Sequence, residues 1–298
     1  MRVLAVALVV QVVIAGVFIG LAATDFSVFR GGSGGTPRAS VNRFDGPRAF
    51  RELRAQVALG PRPAGSAASR RLAARLRAEL PEGRFEAVPG GLRNVVGRLP
   101  GRGPAILVAA HYDTKDLPGF VGANDGAGGT AAVVELSRVL ARGRRPGDRE
   151  IRFALFDGEE SPRGSTAFVR DGLRGSRASA RAHAQQLGEV VVVDFVADRR
   201  LSLPREAGSN ARLWGRLRAA ARRVGVGGVF PDRTRARIED DHTPFAATGL
   251  PAIDLIDFDY PPFHTRRDDL SAVSERSLDA AGEALVELLR TERSGGAR

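Results

Sequence analysis

The sequence predicts an α/β domain built on a largely parallel sheet. Three observations predict it. Short apolar runs of strand length recur along the chain, stretches of helical periodicity separate most of them, and acidic or imidazole side chains stand where the apolar runs end. In sheets of this kind ligands bind beyond the carboxyl ends of the strands, so those ends are where chemistry is sought.

The elements follow in order. Val3–Ala23 is apolar except for Gln11, long enough to span about 30 Å as a helix. Arg2 precedes it and Asp25 follows. The run reads as an uncleaved membrane anchor in residues 1–24, with a cleaved signal peptide ending near Ala22 and Ala23 as the alternative. Either places the rest of the chain outside the cytoplasm. Residues 25–40 are a linker containing Gly31-Gly32-Ser33-Gly34-Gly35-Thr36-Pro37. The folded domain is expected over residues 41–293, starting near Val41, with a frayed tail at 294–298. Phe50, Leu53 and Val57 share one helix face, and Leu72, Leu76 and Leu80 share another. Strands are expected at Asn94–Leu99, Ala105–Ala110, Ile151–Phe156, Glu189–Phe195 and Ala252–Ile256, and helices at Gly129–Arg142, Asn210–Arg223 and Glu275–Leu289.

Composition narrows the function classes. Hydrophobic residues make up 43% of the 298, enough for a sizeable core. The net charge is +11, but Lys115 is the one lysine, and the arginines are scattered without interleaved aromatics. That argues against a nucleic-acid footprint. There is no cysteine, which excludes disulfides, thiolate metal sites and a Cys nucleophile. No Gly-x-Ser-x-Gly turn stands between a strand and a helix, as a serine hydrolase would need. A metal must therefore be held by carboxylates and by some of His111, His183, His242 and His264.

The run Ala105–Ala110 leads into His111-Tyr112-Asp113, whose first and third residues face the same way on a strand, so Asp113 can support the imidazole of His111. Gly122-Ala123-Asn124-Asp125-Gly126-Ala127-Gly128-Gly129 lacks the spacing of a phosphate loop and instead presents Asp125 on a tight turn, ready for a metal. After Ile151–Phe156 come Asp157-Gly158-Glu159-Glu160, where one glutamate can ligate a cation and the other handle protons. Asp194 follows four valines, a costly position for an unpaired acid. Asp240-Asp241-His242 and Tyr260-Pro261-Pro262-Phe263-His264-Thr265 complete the set. His183, in an Arg/Ala/Gln-rich stretch, reads as a surface residue. Imidazole and carboxylate ligands without sulfur suit catalytic zinc.

This set, in order, spacing and flanking strands, resembles the zinc peptidases of family M28 and their relatives the animal-type glutaminyl cyclases, over roughly Phe44 to Leu289. The resemblance implies a three-layer α/β/α sandwich around a mixed, mostly parallel sheet, acting on peptide or protein N-termini as a monomer. The resemblance implies a cis peptide bond between Asp125 and Gly126; aminopeptidases of the family imply two zinc ions bridged by Asp125, with His111 and Asp194 on one and Glu160 and His264 on the other, and Glu159 as general base. Cyclases imply one zinc on Asp125, Glu160 and His264, with Glu159 moving the proton and Asp194 and Asp240 forming an acid network around it. Phe263 and His242 are expected to contact the substrate. His111-Tyr112-Asp113-Thr114-Lys115, Phe120-Val121-Gly122-Ala123, the segment Asp171–Arg177, and Asp240 where many aminopeptidases have Ser lean to the cyclase. Phe263 departs from it, since cyclases carry Trp there, and the run Asp254–Tyr260 looks like bacterial M28 peptidases. The expected function is thus a glutaminyl-peptide cyclotransferase, with a di-zinc aminopeptidase as the alternative and a non-catalytic zinc-binding relative behind both.

Overall fold

Strand β3 (Arg102–His111) sends Ile106, Val108 and Ala110 into one apolar core and Ala105, Leu107 and Ala109 into another. A strand apolar on both faces belongs at the centre of a sheet covered by helices on both sides. The computed structural model, which describes residues 35–293, has that form. Its six-stranded sheet runs β1 (Arg84–Val88), β2 (Leu92–Leu99), β4 (Arg149–Phe156), β3, β5 (Leu187–Val193), β8 (Ala252–Leu255). β4, β3, β5 and β8 are parallel, and β2 and β1 add an antiparallel edge. A separate parallel pair joins β6 (Arg205–Glu206) to β7 (Thr234–Arg235). The fold is the three-layer α/β/α arrangement with a mixed, mostly parallel sheet.

Helices α1 (Gly46–Val57), α2 (Ala67–Glu79), α3 (Ala127–Ala141), α6 (Ala211–Arg223) and α8 (Glu275–Arg293) supply residues such as Leu53, Leu76, Val133, Leu217 and Leu285 to the larger core. On the other face α5 (Arg174–His183) and α7 (Thr243–Ala246) supply Ala180 and Phe245; α4 (Phe168–Asp171) is a single turn. The helix starts are set by local chemistry. Asp45, Ser66 and Asn210 each accept a main-chain N–H three residues on, at 2.9, 3.1 and 3.0 Å. Helix α3 is apolar and buried nearly all round, as a helix in the middle of a layer must be. It packs so close to β5 that a Cβ on Gly129 would stand 2.0 Å from the Val193 carbonyl oxygen.

The chain leaves β3 through α3 to reach β4 on one side, then returns through α5 to β5 on the other. The carboxyl end of β3 is thus the point where the winding reverses and a crevice opens. His111 closes β3, Asp157–Glu160 follow β4, and Asp194 follows β5. The run Val3–Ala23 and the tail Ser294–Arg298 lie outside the described residues. Among those described, no helix is long and apolar enough to cross a membrane. The chain is packed from Thr36, whose hydroxyl lies 3.0 Å from that of Ser277. His183 does find an acid: its Nε2 lies 2.6 Å from Glu86 on β1, a partner distant in sequence, and its side chain is only partly exposed.

Candidate metal centre

Asp125 sits on a turn that the structure fixes from three directions. Its own N–H and that of Asn124 donate to the two oxygens of Asp268, at 3.1 and 2.8 Å. The Asn124 side-chain oxygen accepts from the Ala197 N–H at 2.8 Å. Arg62, fully buried, donates to the carbonyls of Gly60, Val121 and Gly122 at 2.9, 2.9 and 3.3 Å. Gly126 then turns the chain into α3 at φ +90°, where a Cβ would lie 2.6 Å from the Asp113 carbonyl oxygen. The Asp125–Gly126 bond is trans, contrary to the cis bond expected: the reversal is made at the dihedrals of Gly126.

Each oxygen of Asp125 faces a different histidine. Oδ1 lies 3.3 Å from His111 Nε2, and Oδ2 lies 3.4 Å from His264 Nε2. His111 Nε2 is also 3.2 Å from Asp194 Oδ1, and His264 Nε2 is 3.1 Å from Glu160 Oε1. Two three-residue groups therefore meet at Asp125: His111 with Asp194, and Glu160 with His264. A tetrahedral zinc with ligands at about 2.0–2.1 Å sets its ligand atoms roughly 3.3–3.4 Å apart, so the donors are spaced as zinc requires. Asp125 Oδ2 has no hydrogen-bond partner though buried, which a cation would supply. The residues present fit zinc.

Electrostatics follow from crowding. Burial opposes charging His111, but Asp113, Asp125 and Asp194 outweigh it and raise its pKa well above the ordinary value. Burial likewise works against His264, yet Asp125 and Glu160 lift it to about 9. Glu159 is pushed well up, by burial first, then by Glu160, with Asp240 and Asp241 adding to it. Asp194 rises to about 8 through burial and the charge of Asp240.

The metal-facing residues floor a cavity of about 510 Å³ that Glu159, Asp240 and Phe263 also line. Phe263 stacks on His264, ring centres 3.7 Å apart, and His264 itself adopts φ +50°, a strained value for a residue with a Cβ. Lys115 holds the outer oxygen of Glu160 at 2.8 Å, leaving the inner one for His264.

One expected role widens and another changes. Asp113 faces His111 Nδ1 at 3.7 Å and raises its pKa, as expected, and its oxygens also accept the N–H groups of Glu159 and Glu160, both at 3.2 Å, and so pin the glutamate pair. His242 does not line the cavity. It is 1% exposed, because the chain turns into α7 directly after it and carries the ring inward, toward Glu206 and Asp254. Asp268 and Arg62 were not singled out from the sequence. Arg62 stands between two prolines, a signal of a fixed loop; Asp268, within Arg-Arg-Asp-Asp, offers none.

Comparison with known proteins gives the same picture. A solved glutaminyl cyclase from an Acidobacteriales bacterium is 30% identical, with a TM-score of 0.73 over 86% of this chain and 97% of that one. The glutaminyl-peptide cyclotransferase of Bothrops jararaca is 28% identical over 225 residues, 60% of each chain. Aminopeptidase YwaD of Bacillus subtilis is 29% identical over 199 residues, 63% of this chain and 42% of that protein. The match thus spans about 60% of the length of the first of these curated relatives and 42% of the second. The sequence profile of Peptidase family M28 matches residues 94–289. That stretch contains every member of both ligand groups, from His111 to His264, and on this match the chain belongs to peptidase family M28.

Proposed function

We propose that this protein is a zinc-dependent glutaminyl-peptide cyclotransferase, turning an N-terminal glutamine into pyroglutamate with release of ammonia. The observation that carries this reading is the company Glu159 keeps: Asp194 and Asp240 share its cavity, and the charge of Asp240 raises both Glu159 and Asp194. Cyclisation needs a group that takes a proton from an amine and gives it back to a leaving nitrogen, and a carboxyl whose pKa is lifted towards neutrality does both. The similarity to cyclases of bacterial and snake origin supports it.

Asp125, Glu160 and His264 would hold the zinc, which when bound supplies Lewis-acid polarisation of the γ-carboxamide carbonyl. Glu159 accepts a proton from the N-terminal amine as its nitrogen bonds to the carbonyl carbon of the γ-carboxamide (Cδ). It delivers that proton to the amide nitrogen as the old C–N bond breaks, so ammonia leaves and a five-membered lactam stays on the peptide. Ile256, Phe258 and Phe263 offer the apolar wall against which the glutamine methylenes lie.

A second reading rests on a different observation. Both ligand groups around Asp125 are complete, as a di-zinc aminopeptidase requires, and Glu159 would then draw its proton from the attacking water. The zinc-loaded full-length protein is to be given a glutamine-leading peptide and an aminoacyl anilide side by side. Ammonia from the first with little anilide cleavage is the expected result; the opposite pattern replaces the cyclase by the aminopeptidase. We also propose that Val3–Ala23 tethers the domain outside the cytoplasm. Fractionation that finds the full-length protein free in the cytoplasm would refute this.

A further inference from the structure

At the cavity wall stands a third group of ligand-type side chains, of which the cyclase reading uses Asp240 alone. Asp240, His242 and Asp254 are 3%, 1% and 0% exposed, and one ligand atom from each lies within 4.8 Å of the others. The imidazole also faces a carboxylate on its far side. Its Nε2 lies 3.3 Å from Oε1 of Glu206, which is itself fully buried. Burial works against ionising Glu206, but His242 and Ser209 outweigh it and hold the carboxyl low, at about 2. A carboxylate facing Nε2 places the ring proton there and leaves the Nδ1 lone pair free.

That lone pair has no hydrogen-bond partner and looks toward Asp254, with Nδ1 3.7 Å from Oδ2. Both oxygens of Asp254 and Oδ2 of Asp240 also lack partners. The other oxygen of Asp240 is engaged, accepting the Asp241 N–H at 2.5 Å. An imidazole nitrogen and carboxyl oxygens thus converge in a buried interior with acceptor sites unfilled, a costly state unless a cation or a proton shared by the two carboxyls joins them.

We infer that Asp240, His242 and Asp254 form a further binding site for a divalent cation of the zinc type, separate from the two ligand groups that meet at Asp125. The donor set matches zinc chemistry, and Glu206 behind the histidine is the outer carboxylate such sites use. The ion would tie β8, which carries Asp254, to the turn before α7, and would fix the Asp240 carboxylate where it enters the catalytic cavity.

The test uses the full-length protein, stripped with a chelator, reloaded with zinc chloride and desalted. Zinc per chain is measured by elemental mass spectrometry for wild type, Asp254→Asn, His242→Gln and Asp125→Asn. The expected result is that Asp254→Asn and His242→Gln each hold one zinc fewer than wild type, while Asp125→Asn keeps the ion they lose. Anomalous diffraction at the zinc edge from wild-type crystals should show a peak among the three residues, and this decides the matter if the variants fail to fold. Equal zinc in wild type and Asp254→Asn, or no such peak, overturns the inference, and the two carboxyls then share a proton instead. A wild-type protein whose zinc is all lost in Asp125→Asn overturns it while leaving the proposed catalytic centre intact. A protein that loses zinc in Asp254→Asn and none in Asp125→Asn does the reverse.

Discussion

The Asp125 turn and the His264 segment bring ligands to the same place by opposite means. Asp125 is 2% exposed, and its turn is held by Asp268, Asn124 and the buried Arg62. His264 has a side chain 30% exposed, sits at φ +50°, and is steadied by the rings of Phe263 and Phe120. One ligand is part of the core, and the other is a surface residue pressed onto it. The difference teaches that the fold depends on the Asp125 turn and not on His264, so the two candidate ligands should respond differently to substitution.

The largest expected effect tests the shared ligand. Asp125→Ala removes a member of both groups, so zinc affinity should fall well beyond the roughly 10–100-fold cost of losing an outer-shell partner, with activity below detection. Full zinc retention would break the contrast. Next, Glu159→Gln should lower turnover about 10²–10⁴-fold with zinc content unchanged, while Glu160→Gln loses zinc along with rate. If Glu159→Gln is the one that loses metal, the two roles are exchanged.

Stability sharpens the comparison further. Arg62→Met strands buried carbonyls and should cost about 3 kcal/mol, roughly 6–12 °C in Tm. His264→Ala in the metal-free protein, compared above about pH 9 where the charge of His264 is lost, should stay within about 1 kcal/mol of wild type. Calorimetry of the two variants checks both, and equal losses would remove the distinction. The smallest effect is a pH slope. The folded pKa of His264, about 9, lies above its ordinary 6.5. Its stabilising charge is therefore fully present below about pH 6.5 and lost as pH rises through about 9. Asp194, raised to about 8, acts in the same direction as it ionises. The metal-free protein should thus lose a few degrees of Tm between pH 6.5 and 9, and His264→Ala should lose less. A flat profile in wild type would contradict the ion pairing of His264.

Asp125 was legible from its glycine-rich turn, and His264 from the family resemblance; His111, Glu160 and Asp194 were legible because they stand where apolar runs stop, and position along a parallel strand already points to the crevice. The central strands were legible for the same reason. Strand β1 was not, because at the sheet edge it buries only Val88. Helix α5 was not, because its buried face is Gly175, Ser176, Ser179 and Ala180, small residues that leave no apolar period. His242 was misplaced because the turn into α7, which carries its ring away from the cavity toward Glu206 and Asp254, leaves no mark in the sequence. Arg62 and Asp268 escaped because their partners are main-chain groups far along the chain, which no side-chain spacing records.

Lys115 carries the one side-chain amine in the whole sequence, and it lines the cavity with its side chain 22% exposed. A reagent selective for side-chain amines therefore has a single address on this protein, and that address lines the candidate cavity beside Glu160. A fluorophore attached there would report ligand entry directly. The composition that fills the surface with arginine leaves the cavity with a unique chemical handle, installed without engineering.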